Sequence, residues 1–212
     1  MKTFLKILTN GWERKIKNMI LEYHKALSEK DCQLLIETAE PLFERAGTLG
    51  ENYETFDEET QTMKKYRTAE NAFLPRESRI SKRIFNFIYD VADCLPSQME
   101  NITVIKYNVG GEYKIHHDSF FETEEYYADI TANGGNRIKT ALIYLNDDFT
   151  GGETTFPYLE TIIKPEKGKL VIWDNMLEGK IYQEGHHAGL PVKTGIKYIA
   201  VIFIREKDFV KL

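Results

Sequence analysis

Tyr107-Asn108-Val109-Gly110-Gly111-Glu112-Tyr113-Lys114-Ile115-His116-His117-Asp118 is the stretch on which the fold turns. A β-branched and aromatic run (102–107) leads into a Gly-Gly turn signal and a second extended piece. If that piece is a strand, side chains alternate across it. His116 and Asp118 then share one face and His117 takes the other. An imidazole and a carboxylate on one face can occupy adjacent corners of a metal octahedron.

Outward from this stretch, further short apolar runs cover 139–145, 170–173 and 197–204. Gly134-Gly135 and Gly151-Gly152 punctuate them. Many short strands with glycine turns predict an all-β sandwich or barrel over 101–212. The N-terminal part, 1–100, reads as a mainly helical layer packed against it, the whole forming one domain over 1–212. Ser28-Glu29-Lys30-Asp31 resembles a capping box, Pro41 should bend or divide the helix that follows, and Gly47 is its expected stop. A second helix is predicted from about Glu77 to Ala92, with 48–62 as a polar loop between the two. The segment 119–136 mixes Phe120, Phe121, Tyr126 and Tyr127 with acidic residues, and reads either as a mobile lid or as an ordinary surface insertion.

Bulk properties narrow the function. A net charge of −5 argues against general nucleic-acid binding. No apolar run is long enough to span a bilayer, so no membrane partner is expected. Cys32 and Cys94 are too few for a disulfide framework and read as small buried side chains; a cytoplasmic, reducing setting is expected.

A second imidazole would complete a two-histidine, one-carboxylate face, the arrangement of non-haem Fe(II) oxygenases. His186 and His187, before a turn-rich stretch and a strand, are the candidates. Lys197 lies ten residues beyond His187, where it either meets the distal carboxylate of a co-substrate or simply faces solvent.

Taken together, these residues resemble the prolyl 4-hydroxylase family of 2-oxoglutarate- and Fe(II)-dependent dioxygenases. The resemblance runs from about Arg67 to Glu206. It includes Arg67-Thr68, Tyr-x-x-Gly-x-x-Tyr-x-x-His-x-Asp at 107–118, and Arg137-x-x-Thr140-Ala141-Leu142-x-Tyr144-Leu145-Asn146-Asp147. Gly151-Gly152-Glu153-Thr154-Thr155-Phe156-Pro157, Trp173-x-Asn175 and His187-Ala188-Gly189-x-Pro191-Val192 follow in order.

The resemblance implies an α+β protein with a double-stranded β-helix (jelly-roll) core. His116, Asp118 and His187 would ligate iron, the downstream motif favouring His187 over His186. Lys197, Tyr107 and Thr154 would bind 2-oxoglutarate. O₂ would be the oxidant, ascorbate the reductant, and a prolyl residue of a peptide or protein the substrate. Tyr113 and Arg137 are candidate substrate contacts, although Arg137 equally suits a strand anchor. A monomer or homodimer is expected. The competing readings are a free amino acid, small metabolite or non-prolyl side chain as substrate, or a non-catalytic metal-binding β-barrel.

Overall fold

A computed structural model describes residues 5–9, 12–17, 20–45, 54–57, 62–65 and 67–209. The apolar runs of the C-terminal half are antiparallel strands divided between two sheets. Leu170–Asp174, Arg137–Tyr144, Lys197–Arg205 and Thr103–Tyr107 lie side by side in the first. Thr161–Ile163, Thr154–Phe156, His187–Gly189 and Tyr113–His116 form the second. Along the chain the strands visit the sheets in the order first, second, first, second, second, first, second, first. That is the double-stranded β-helix.

The alternating pleat explains why these strands read as unbroken apolar runs. Leu142, Tyr144, Val171, Trp173, Ile199 and Val201 point between the sheets. Ala141, Ile143, Leu170, Ile172, Ala200 and Ile202 point outward, into a core shared with Leu35, Ile84 and Ile88. Both faces of the first sheet are therefore covered, and neither tolerates polar residues without a partner. Each fully buried Leu, Ile or Val contributes about 1.5–3 kcal/mol.

Two helices supply the outer cover. Glu29–Ala39 begins at Ser28, whose Oγ accepts from the Asp31 amide at 3.2 Å and donates to its carboxylate at 2.7 Å. Arg83, in the second helix (Arg79–Ala92), grips the same carboxylate with two bonds of 2.8 Å. Burial alone would raise the Asp31 carboxyl, but Ser28 and Arg83 outweigh it and hold it below its usual value. Ser28→Ala is expected to cost about 1 kcal/mol, read as a lower Tm in thermal denaturation. Pro41 divides the first helix as expected, starting a 3₁₀ turn over Glu40–Leu42.

The mainly helical layer expected over 1–100 is corrected. Leu5–Thr9, Trp12–Lys17 and Ile20–Tyr23 are strands that continue the first sheet beyond Leu170–Asp174, while Glu70–Phe73 and Glu44–Arg45 extend its opposite edge. Ile20–Tyr23 owes its conformation to a distant partner, Trp173 opposing Ile20 and Leu170 opposing Tyr23. Within the expected 48–62 loop, Glu54–Asp57 instead pairs with Thr62–Lys65; Gly47 and the rest of that stretch lie outside the described residues. Cys32 and Cys94 are free and buried, and burial pushes both thiols up to about 11. Among the described residues no helix is long and apolar enough to cross a membrane.

Candidate metal and co-substrate site

The strand Tyr113–His116 stops at His116, yet Asp118 keeps its alternating direction. His187 opens the neighbouring strand directly opposite His116 in register. The imidazole Nε2 atoms of His116 and His187 each lie 3.6 Å from a carboxylate oxygen of Asp118. One ligand atom from each residue fits within 4.8 Å of the others. Ligands about 2.1 Å from a shared ion and at adjacent corners of an octahedron lie about 3.0 Å apart, so the three draw in on binding.

Both imidazoles are preset for coordination. Nδ1 of His116 faces the Lys114 carbonyl at 2.7 Å, and Nδ1 of His187 faces the Gly185 carbonyl at 2.9 Å. A carbonyl only accepts, so each Nδ1 carries the proton and each Nε2 offers its lone pair. Burial drives His187 down to about 4, keeping it neutral. Burial would raise Asp118, but the adjacent His187 and His116 and the Thr140 hydroxyl hold it below the usual carboxylate range. Two neutral imidazoles and a carboxylate are the donor set a divalent iron takes, and among the described residues no fourth His, Cys, Asp or Glu joins them.

The other histidines are accounted for elsewhere. His117 Nε2 donates to the Tyr182 carbonyl at 3.1 Å and Nδ1 accepts from the Ser119 amide, so both ring nitrogens are engaged. His186 bonds the Gln183 carbonyl at 2.8 Å, and His24 pairs with Glu166.

A cavity of about 730 Å³ runs from the triad to Lys197. Lys197 is 2% exposed, and its ammonium has no hydrogen-bond partner among the described residues. Burial lowers it to about 7, against an ordinary 10.5. The pull of Glu153 does not offset that burial, so the cavity end of Lys197 is the complement of a carboxylate. Tyr107 and Tyr144 flank it, their ring centroids 5.0 and 5.8 Å from Nζ. Thr154 is buried nearby and shares a 2.7 Å hydrogen bond with the Tyr144 hydroxyl. Gly152, at φ +67°, approaches the Lys197 stem so closely that a Cβ would lie 3.0 Å from its Cδ.

At the other end, Tyr113 stacks on the His116 ring at 3.5 Å, with the Arg67 guanidinium over it at 4.8 Å. Arg137 makes two hydrogen bonds to Glu100, of 2.7 and 2.9 Å, and lies 3.6 Å from the Phe203 ring centroid. It anchors the strand end and also lines the cavity. The base of 119–136 is closed: Asn136 exchanges two 2.9 Å bonds with the Phe120 backbone, and Ser119 donates to the Arg137 carbonyl. Phe121, Glu124 and Tyr126 reach the cavity from this segment.

Sequence reasoning passed over Thr140, Tyr144 and Asn175 as site residues. Their signal was polarity inside apolar runs: Thr140 and Tyr144 sit at even spacing with Leu142, on the face between the sheets.

The 2OG-Fe(II) oxygenase superfamily model matches residues 102–205. A relative from Acanthamoeba polyphaga mimivirus is 31% identical over 150 residues, covering 70% of this chain and 62% of the relative. Prolyl 4-hydroxylase subunit alpha-1 of Rattus norvegicus is 31% identical over 195 residues, 90% of this chain and 35% of that one. The chain thus spans less than two thirds of these relatives' own length. Among solved structures, the viral collagen prolyl hydroxylase of Paramecium Bursaria Chlorella virus-1, in its 2OG complex, superposes with a TM-score of 0.63 at 26% identity, covering 89% of this chain and 96% of that one. The triad, a buried lysine in the same cavity and these matches agree: residues 102–205 form a 2OG-Fe(II) oxygenase domain, and the chain is similar to prolyl 4-hydroxylases.

Proposed function

We propose that this protein hydroxylates prolyl residues in peptides or proteins, consuming 2-oxoglutarate and O₂ and releasing succinate and CO₂. The observation that carries this reading is one continuous cavity joining the His116–Asp118–His187 face, the buried Lys197 ammonium and an aromatic rim. Bound Fe(II), with 2-oxoglutarate and O₂, supplies the oxidising chemistry. The chain supplies position. Lys197 holds the distal carboxylate of the co-substrate, with Tyr107 and Thr154 beside it. The apolar walls of Leu142, Ile199 and Val201 keep water from the reacting centre.

The rim suits an extended, proline-rich peptide. Phe121 and Tyr126 offer aromatic faces on which pyrrolidine rings stack, and exposed Glu122, Glu125 and Asp129 favour basic flanking residues. Arg137 keeps a guanidinium at the cavity wall for a peptide carbonyl. Arg137→Lys is expected to raise the peptide KM, because a lysine ammonium cannot bond Glu100 twice and also present a donor to the cavity, while the 2-oxoglutarate KM stays unchanged in steady-state kinetics. Ascorbate is proposed as the reductant that restores Fe(II), and the free thiols of Cys32 and Cys94 support a reducing, cytoplasmic setting.

Incubating proline-rich peptides with the enzyme, Fe(II), 2-oxoglutarate and ascorbate, followed by mass spectrometry, tests the reading. A gain of one oxygen on proline supports it. No gain across a broad peptide panel, with co-substrate turnover stimulated instead by a small metabolite, overturns it.

Co-substrate binding should depend on pH. The Lys197 ammonium must be protonated to pair with a carboxylate, and in the free protein it titrates near pH 7. Above that pH, binding takes up a proton, so the Kd for 2-oxoglutarate weakens by up to about tenfold per pH unit. Calorimetry in buffers of different ionisation enthalpy would register the proton; buffer-independent heats at pH 8 would contradict the assignment.

A further inference from the structure

The Asp118 carboxylate sits at the end of a directed chain of hydrogen bonds. Thr140 Oγ1 donates to Asp118 Oδ2 at 2.6 Å, and Asn175 Nδ2 donates to Thr140 Oγ1 at 2.8 Å. The direction is forced. A carboxylate only accepts, so the single hydroxyl proton of Thr140 must go to Asp118, and Asn175 must therefore present its NH₂. Asn175 is 0% exposed, and its remaining oxygen, Oδ1, has no partner among the described residues. A residue serving only to fill this space would be better as an apolar isostere, so the unsatisfied acceptor calls for another explanation.

The backbone fixes the start of the chain. The Asn175 amide donates to the Ile138 carbonyl at 2.8 Å, and its own carbonyl accepts from Tyr182 at 2.8 Å. Thr140 is held in the adjacent strand, opposite Trp173. Trp173 in turn lies against His187, ring centroids 4.7 Å apart. The end of the strand Leu170–Asp174 thus touches two of the three ligands, one by packing and one through Thr140.

We propose that Asn175 is a positioning residue for the iron centre: acting through Thr140, it fixes the rotation of the Asp118 carboxylate so that Oδ2 is occupied by a hydroxyl and one oxygen is presented to the metal. This rests on the metal site described above. With Oδ2 so occupied, Asp118 would offer a bound metal a single oxygen, leaving room beside it for the co-substrate and O₂.

The test is anaerobic Fe(II) titration of the full chain, with Mn(II) binding followed by electron paramagnetic resonance as a second readout. Asn175→Leu, close in shape, is expected to weaken metal binding about 10–100-fold, while the Tm of the metal-free protein is unchanged or raised. Thr140→Val should weaken metal binding equally but lower the Tm, since it leaves the buried Asn175 NH₂ unpaired, and Thr140→Ser, which keeps the hydroxyl, should remain within threefold of wild type. The double variant Thr140→Val/Asn175→Leu should bind no more weakly than Thr140→Val alone, because Asn175 acts only through that hydroxyl. Asn175→Ser, too short to reach Thr140, is measured alongside in case the leucine variant does not fold, with the same loss expected. Metal affinities within threefold of wild type for the Asn175 variants, or additive losses in the double variant, would overturn the proposal. Failure of the wild-type protein to bind Fe(II) would instead refute the metal site itself.

Discussion

Asp118→Ala is expected to abolish iron binding and turnover while leaving the protein folded. It removes the one anionic ligand of the triad, so activity should fall by more than the roughly 10–100-fold that loss of an outer-sphere partner costs. The fold should survive, because Asp118 lies between imidazoles that do not need its charge: burial already keeps His187 neutral. The main structural loss is the Thr140 hydroxyl bond, leaving a buried donor unpaired at a cost of about 1–3 kcal/mol. Two measurements separate these effects. Under anaerobic conditions, wild type with Fe(II) and 2-oxoglutarate should develop a visible charge-transfer band that the variant lacks. Thermal denaturation should show Fe(II) raising the Tm of wild type only. A band of normal intensity in Asp118→Ala would mean the carboxylate is not a ligand.

Lys197→Met is expected to make the metal-free protein more stable and the enzyme almost inactive at ordinary co-substrate concentrations. Methionine fills much of the same volume without an ammonium whose residue is 2% exposed and whose burial outweighs the pull of Glu153. Removing the cation from a buried charge pair costs about 3–5 kcal/mol, so the Kd for 2-oxoglutarate should rise by about 10²–10³-fold. Fe(II) affinity should hold, since Lys197 does not ligate.

The stability gain has its own pH signature. The folded-state value of about 7 lies below the ordinary 10.5, so between these values the unfolded chain binds the extra proton. Wild-type stability therefore rises with pH across that window, and the advantage of Lys197→Met shrinks towards pH 10.5. A constant Tm difference from pH 6 to 10 would show that Lys197 is not buried as a cation.

The β-core was legible because its first sheet is apolar on both faces. The run expected at 170–173 is the strand Leu170–Asp174, and that at 197–204 is Lys197–Arg205. The triad was legible because period-2 alternation needs no knowledge of the partner strand. Alternation could not choose between His186 and His187; the downstream motif favoured His187, and the cross-strand register with His116 is the physical reason. The N-terminal strands were not legible. Ile20–Tyr23 is four residues long and takes its register from Leu170–Asp174, far along the chain. The Asn175–Thr140 link was hidden for the same reason: nothing local says that residues 35 apart will face the same carboxylate.

The closed base of 119–136 makes this segment exchangeable. Asn136 and Phe120 join hands across 16 residues, so what lies between them is a loop with fixed ends. Lengthening such a loop is cheap, each doubling costing about 0.6 kcal/mol. The barrel and its ligands sit outside the tether. Sequence between 121 and 129, ahead of the Ile130 and Gly135 carbonyls that bond Arg205, can therefore be exchanged, making this a cassette through which one oxidising centre can be offered to different peptides.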